Sequence, residues 1–149
     1  MFRIVPQTPI YRRGARKRAS PARSAGQRQP RARDRDHLAR IAELACAVPG
    51  CGQHPVHVAH LRYASAADGA SLVGKGMKPD DWRVLPLCPA HHTEGPGAQH
   101  RMNEVAFWAA HGINPYALAR ALFNLGGPLE ELRFLVERAP LIFPAREDS

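Results

Sequence analysis

Cysteine, acidic residues and long apolar runs are scarce in this sequence of 149 residues. Three cysteines are too few, and odd in number, for the disulfide framework of a small secreted domain. No apolar run approaches the roughly 20 residues that cross a membrane, so we expect no membrane partner. The first residues, 1–5, lack the continuous apolar stretch and the small-residue cleavage site of a secretory signal. These absences predict a protein that remains in the reducing environment of the cytoplasm.

Acidic residues are scarcest at the start of the chain. Residues 1–36 contain eleven of the 21 Lys and Arg residues and two of the 13 Asp and Glu residues, a net charge of +9, whereas residues 37–149 carry −1. The segment mixes Arg with Ser, Gly, Gln and Pro and has almost no apolar side chain to bury, a composition typical of disorder. We therefore expect a disordered basic arm that binds DNA or RNA with a strong dependence on salt. A solvated tail without a specific partner is the alternative.

The few cysteines that are present occur in two short segments. Cys46 and Cys51 flank a Pro-Gly turn that can fold their sulfurs toward one ion. His91 is the third residue after Cys88. Three thiolates and one imidazole form the ligand set that tetrahedral structural zinc prefers. We therefore predict a structural Zn²⁺ site at Cys46, Cys51, Cys88 and His91. Buried free thiols are the alternative.

The spacing of apolar residues predicts short elements before the second ligand segment. Apolar residues recur at helical intervals from Leu38 to Ala45, after Asp36, which is placed to cap a helix. The segments 56–61 and 83–87 read as two paired strands, of which the second carries Pro86 and must therefore lie at an edge. A long exposed loop joins them.

Helical patterns dominate the remainder of the chain. Pro89 suits the first turn of a helix that Gly95-Pro96-Gly97 must break or distort. Three further helices are predicted over residues 102–108, 114–123 and 129–136, where apolar residues again recur at helical spacing. We expect the last two helices to be packing or dimer elements.

Once His91 is assigned to zinc, His60, His92 and His100 are the candidates for a second role. If the strand that ends near His60 lies beside the helix that carries His92, strand, strand and helix surround a metal ion, the ββα-metal layout. His92 and His100 then hold a divalent cation, Mg²⁺, Mn²⁺ or Zn²⁺, on a scissile phosphate, while His60 accepts a proton from the attacking water. Along one continuous helix His92 and His100 would lie about 12 Å apart, so the glycine-proline break must return His100 to His92.

A purely structural role is the alternative for each of these histidines. His60, His92 and His100 could be satisfied core residues, and His57 lies on the strand face opposite His60. We interpret the remaining histidines as surface or packing residues: His37, His54, His57 and His111.

The order of these motifs resembles the HNH nucleases of phages and prophages, and is most similar to the recombination-associated Ref-type and YbcO-like nucleases. The resemblance covers about residues 38–112 and rests on this ordered set: Cys46-x4-Cys51, Ala59-His60, Lys78-Pro79-Asp80-Asp81, Pro86-Leu87-Cys88-x2-His91-His92, His100 and Phe107-Trp108.

The resemblance implies a role for each matching residue. His60 would be the general base, and His92 and His100 would be metal ligands. Asp81 takes the position usually held by Asn and would orient His60 or the metal shell. Two features depart from the family: Ala59 stands where many members have an Asp or His ligand, and the interval between His92 and His100 is wider than the common three-residue gap.

These observations predict an α+β fold, a zinc-stabilised ββα-metal (HNH) domain with flanking helices and a disordered basic N-terminal arm. The expected boundaries are 1–36 for the arm, 37–112 for the nuclease domain, 113–139 for a C-terminal helical extension and 140–149 for a tail. The expected function is metal-dependent hydrolysis of phosphodiester bonds in single- or double-stranded DNA, with Lys75, Lys78 and Arg101 contacting the nucleic acid. A non-catalytic zinc module that binds DNA, or a zinc-stabilised protein-interaction domain, is the alternative.

Overall fold

The computed structural model describes residues 31–147, where the chain forms a mixed α+β fold. Residues 1–30 of the predicted arm and the last two residues of the predicted tail lie outside the described residues. The described elements are, in order, α1 (Arg35–Ala42), β1 (His57–His60), a 3₁₀ turn (Ala66–Asp68), β2 (Val84–Leu87), a π-helical turn (Ala90–Glu94), a second 3₁₀ turn (Gln99–Arg101), α2 (Glu104–Ala110), α3 (Pro115–Leu125), α4 (Leu129–Glu137) and α5 (Ala139–Ile142).

Helix α1 begins with a different cap from the one that the sequence suggests. The side chain of Asp34 accepts a hydrogen bond from the backbone N–H of His37 at 2.9 Å, and Asp34 has the extended backbone of an N-cap residue. Asp36 lies in the first turn instead, where its negative charge favours the positive end of the helix dipole.

The residues before α1 are tied to the loop that precedes β2. The Arg31 Nε donates to the carbonyl of Pro79 at 2.6 Å, and the backbone N–H of Ala32 donates to the Asp80 carboxylate at 2.8 Å. Residues 31–36, which the charge pattern assigns to the arm, are therefore part of the described fold.

The two strands form an antiparallel sheet whose register sets the positions of the site residues. His57 pairs with Leu87 and His60 pairs with Val84. Because the sheet has two strands, each strand is an edge, and Pro86 is accommodated opposite Val58. All four residues of β2 are buried, since α1 and α3 pack near this strand.

Aromatic and aliphatic side chains from β2 and the C-terminal helices fill one core. Trp108, Phe107 and Tyr116 are almost completely buried, together with leucines of α3 and α4. Asn114 caps α3, and Pro115 occupies its first turn, as the sequence predicts. Within the described residues, no helix combines the length and apolarity needed to traverse a membrane.

Candidate metal centre and histidine cluster

Four side chains converge on one point from the turn after α1 and from the end of β2. The ligand atoms of Cys46, Cys51, Cys88 and His91 all lie within 4.8 Å of one another. The sulfurs of Cys51 and Cys88 are 3.8 Å apart, and the His91 Nδ1 lies 3.2 Å from the Cys88 sulfur and 3.5 Å from the Cys46 sulfur. Two sulfurs bound at about 2.3 Å to a tetrahedral zinc ion are separated by about 3.8 Å. These four residues can therefore hold a metal ion, with spacing and donors consistent with structural zinc.

Local backbone geometry forms both halves of this centre. Gly50 has a φ of 77°, in the left-handed region that favours glycine, and the N–H of Cys51 closes the turn on the carbonyl of Val48 at 3.0 Å. At the other half, the N–H of His91 donates to the carbonyl of Cys88 at 3.1 Å in the first turn after β2. The Pro-Gly turn and the three-residue spacing thus place the two ligand pairs face to face.

The Cys46 thiol of this centre needs a nearby cation to ionise at neutral pH. Burial, together with the nearby Cys88 and Cys51 sulfurs, raises the pKa of the Cys46 thiol to about 12. A metal ion reverses this effect because a coordinating thiol is deprotonated outright. The His111 ring packs edge-on against His91, with ring centroids 5.9 Å apart, and so borders the centre as a packing residue.

The break after the π-helical turn returns His100 to His92. The turn ends at Glu94, and the N–H of Gly95 donates to the carbonyl of Ala90 at 2.9 Å as the chain leaves the helical path. His100 lies in the following 3₁₀ turn, and its ring meets the His92 ring edge-on with centroids 4.4 Å apart. The structure thus brings together the two histidines that an uninterrupted helix would separate.

A third histidine, His57, contacts His92, although the sequence pattern assigns it to the surface or to packing. The His57 Nδ1 lies 2.9 Å from the His92 Nδ1, and the two rings meet at 74° with centroids 5.1 Å apart. The strand register explains the contact, because His57 pairs with Leu87, just before the turn that carries His92. The contact depends on this register, for which the sequence carries no local signal, and the alternation of strand faces alone did not predict it. We refer to His57, His92 and His100 as the histidine cluster.

His60, at the end of β1, faces a buried carboxylate. The His60 Nε2 lies 3.7 Å from the Asp81 Oδ1, and among residues 31–147 this buried nitrogen has no hydrogen-bond partner. Asp81 is 3% exposed, and it accepts hydrogen bonds from the Arg31 guanidinium and, at 2.9 Å, from the backbone N–H of Asp34. Asp81 is thus positioned beside His60, while its partner Arg31 comes from the segment that the charge pattern assigns to the arm.

Local charges set the protonation of these groups. Burial raises the pKa of the Asp81 carboxyl, but the Asp34 amide and the Arg31 guanidinium more than offset this and bring it below its usual value. Burial and the Arg31 charge lower the pKa of His60, against the opposing effect of Asp81. Asp81 is therefore an anion at pH 7 while His60 is neutral.

His92 is neutral at pH 7 by a wide margin. Burial lowers the pKa of His92 to about 4, and the neighbouring His100, His57 and His60 contribute in the same direction. A positive charge on any of these imidazoles disfavours a second one nearby. His92 consequently presents unprotonated nitrogen at neutral pH.

An open cleft of about 470 Å³ joins His60 to His100. Its remaining lining is Arg62, Gln99, Met102 and Glu104. Glu104 accepts hydrogen bonds from the backbone N–H of Arg62 at 3.2 Å and from the Gln99 side chain at 2.9 Å, and burial raises the pKa of its carboxyl. No sequence pattern singled out Glu104, which lies in the first turn of α2.

The three predicted nucleic-acid contacts are exposed, and none of them lines the cleft. Lys78 lines a separate depression with Arg31 and Pro79, and its charge lowers the pKa of His60 slightly. Arg101 follows His100 and donates from its Nε to the carbonyl of Thr93 at 3.0 Å. Lys75 lies in the exposed loop before β2.

Comparisons of the chain with models of protein families, with curated proteins and with solved structures give no match.

Proposed function

We propose that this protein is a metal-dependent DNA endonuclease of the HNH type, with a ββα-metal site that opens into the cleft between His60 and His100. The observation that carries the proposal is the return of His100 to His92, with ring centroids 4.4 Å apart, in the turn that follows β2. A structural protein has no need for exposed imidazoles close to a neutral histidine that lies 3.7 Å from a buried carboxylate. A hydrolytic site uses both.

We assign zinc to the centre formed by Cys46, Cys51, Cys88 and His91. Its role is to join the turn after α1 to the end of β2, and so to fix the strand and the turn that carry the histidines. The ligand set is closed, with four protein donors and no position for a substrate, as in structural rather than catalytic zinc sites.

His92 and His100 would hold a second divalent cation. The fit rests on chemistry, since the lowered pKa of His92, about 4, leaves its ring nitrogens unprotonated at pH 7. Imidazole suits transition metals such as zinc, nickel and iron, whereas Mg²⁺ prefers oxygen donors. When bound, the cation supplies positive charge against the developing charge of the phosphate and of the leaving oxygen.

His60 would serve as the general base. Asp81 lies beside the Nε2 of His60 and favours the proton on that nitrogen, which leaves the lone pair on Nδ1. Nδ1 can then take a proton from the attacking water, and the Asp81 anion stabilises the imidazolium that results. The lowered pKa of His60 keeps the ring ready to accept a proton at neutral pH.

Cations around the cleft would position the DNA backbone. Lys78 and Arg101 are exposed, Arg101 directly follows His100, and eight further Lys and Arg residues precede residue 31. Such charges bind phosphates without reading sequence. The proposed substrate is therefore DNA selected by form or context rather than by base-specific contacts at this site.

Plasmid cleavage by the full-length protein tests this proposal. Supercoiled and single-stranded DNA are incubated with the zinc-loaded protein in EDTA, Mg²⁺, Mn²⁺, Co²⁺ or Ni²⁺. We expect nicking with a transition metal, none in EDTA, and loss of nicking in the His92→Ala variant. Binding of DNA without cleavage in any of these ions would contradict the proposal and identify a non-catalytic binding module.

A further inference from the structure

The contact between His57 and His92 requires an explanation beyond the packing of the fold. His57 is exposed on β1, and its Nδ1 nevertheless lies 2.9 Å from the Nδ1 of His92. An exposed side chain loses rotamer freedom when it is held in one position, and a hydrogen bond that competes with water returns little. Two imidazoles placed nitrogen to nitrogen are, in contrast, an ordinary arrangement for two ligands of one ion.

The separation of the two nitrogens fits a shared ion. Imidazole nitrogens bind first-row divalent metals at about 2.0–2.1 Å, as they do zinc. Two such nitrogens that are about 2.9 Å apart subtend an angle of about 90° at the ion. This is the angle between neighbouring ligands in octahedral or square coordination, which suits ions that keep further positions for water and phosphate oxygens.

The position of His57 on the strand supports the same role. Residues two apart in a strand share a face, so His57 and Ala59 lie on one face of β1. Ala59 is fully buried and has no side-chain donor atom, whereas His57 is exposed and within reach of the turn that carries His92. His57 therefore supplies the ligand atom that β1 offers on this face.

We infer that His57 binds the proposed divalent transition-metal ion together with His92, whose Nδ1 it already meets, and that this added imidazole makes the site selective for such ions over Mg²⁺. This inference deepens the proposed function, since it concerns the ion of the same site, but the binding of the ion can be measured without any DNA.

Titration of Co²⁺ into full-length, zinc-loaded protein tests the inference. Cobalt reports its ligands through its visible d–d absorption and through shifted imidazole N–H signals in proton NMR spectra. Retention of zinc, measured by elemental analysis, shows that cobalt has not displaced the structural ion. We expect His57→Ala to weaken cobalt binding by at least about tenfold. Loss of a residue that only hydrogen-bonds a metal ligand already costs about 10–100-fold in metal affinity, so loss of a ligand should cost at least as much. It should also remove one shifted imidazole signal.

Three further variants make the test specific. His54→Ala removes an exposed histidine outside the cluster and should bind cobalt as the parent does. His57→Asn retains hydrogen bonding but lacks the imidazole, and should be as weak as His57→Ala. His57→Asp restores a ligand with oxygen and should regain binding with a preference shifted toward Mn²⁺.

Parental cobalt affinity in His57→Ala or in His57→Asn would overturn the inference, because packing or hydrogen bonding alone would then explain the contact. The proposed function can fail separately. If the protein binds cobalt through His57 but cuts no DNA, the proposed nuclease function fails and the role of His57 as a ligand stands. If the protein cuts DNA and His57→Ala binds cobalt as the parent does, the nuclease function stands and the role of His57 fails.

Discussion

His37 is a titratable side chain held in the core without a hydrogen-bond partner. It is 0% exposed, its ring meets Phe123 edge-on at 5.1 Å, and neither ring nitrogen has a partner among residues 31–147. Burial and the nearby Arg40 lower the pKa of His37 below its ordinary value. The unfolded chain therefore takes up a proton near pH 6.5 while the folded protein does not. As the pH falls below about 6.5, this difference reduces the free energy of unfolding.

We predict that His37→Leu flattens the dependence of stability on pH. Leucine is of similar size, cannot be protonated and has no polar atom to bury. An unpaired buried polar atom, such as each ring nitrogen of His37, lowers the free energy of unfolding by roughly 1–3 kcal/mol. Thermal unfolding measured between pH 5 and 7.5 should show a melting temperature at least equal to the parent at pH 7.5 and a smaller loss on acidification. His54→Ala, which removes an exposed histidine, should follow the parental curve. A parental pH dependence in His37→Leu would contradict the account of this residue.

At the scale of the element, the turn between the π-helical segment and α2 controls the histidine cluster. A Cβ atom built on Gly95 would lie 2.5 Å from the carbonyl oxygen of Ala90, which is backbone and cannot move aside as a side chain can. At Gly97 the same atom would meet nothing within 4 Å. Only Gly95 is therefore required for the tight return of the chain toward His92.

We predict that Gly95→Ala displaces His100, and that it lowers both cobalt affinity and the rate of DNA cleavage. A displacement of about 1 Å in a catalytic site can cost about 10²-fold in rate. Gly97→Ala provides the matched control and should bind cobalt and cut DNA as the parent does. Equal behaviour of the two variants would show that the turn does not position His100.

The Cys and His centre acts on a second pair of elements, the turn after α1 and the end of β2. Binding of structural zinc is worth about 10–16 kcal/mol in small domains, comparable to the whole stability of many domains. We predict that Cys88→Ser purifies without zinc and lacks cooperative thermal unfolding by circular dichroism. His111→Ala, which removes the ring packed on His91 but no ligand, should keep its zinc and a cooperative transition. Folded Cys88→Ser without metal would contradict a structural role for the ion.

At the scale of the whole molecule, local sequence signals predicted the elements better than their contacts. The sequence predicted the helix start at Asn114-Pro115, the Pro-Gly turn and the spacing of the ligands, because each of these features depends on neighbouring residues. Long-range partners were not. Arg83, for example, is buried and donates hydrogen bonds to the Tyr116 hydroxyl at 2.6 Å and to the backbone of Ser71 at 2.9 Å, contacts that no local pattern encodes.

The same distinction applies to the candidate site. His92 and His100 could be paired from the sequence because the glycine-proline break lies between them. The pairing of His57 with His92 depends on strand register, and that of Arg31 with Asp81 on how the chain before α1 meets the loop before β2. The described fold consequently begins before the predicted boundary at residue 36, since Arg31 and Ala32 already bond to that loop.

The basic segment at the start of the chain gives a prediction for the whole molecule. Residues 1–30 contain eight Lys and Arg residues, and their removal spares the hydrogen bonds of Arg31. We predict that this deletion weakens binding by a similar factor on unrelated DNA sequences. It should also flatten the slope of log affinity against log salt concentration by about 0.9 for each phosphate that the arm neutralises, at most about 7 in total. An unchanged slope would place the phosphate-binding surface elsewhere, around Lys75, Lys78 and Arg101.

The rate of DNA cleavage by His60→Ala, measured under single-turnover conditions beside the parent in the same transition metal, tests the central claim most directly. Loss of a general base costs roughly 10²–10⁴-fold, so the rate should fall by that factor while zinc content, cobalt affinity and DNA affinity stay at parental values. The parallel measurements separate lost catalysis from lost folding or binding. Cleavage at the parental rate would contradict the account, because the cutting would then come from another site or another protein.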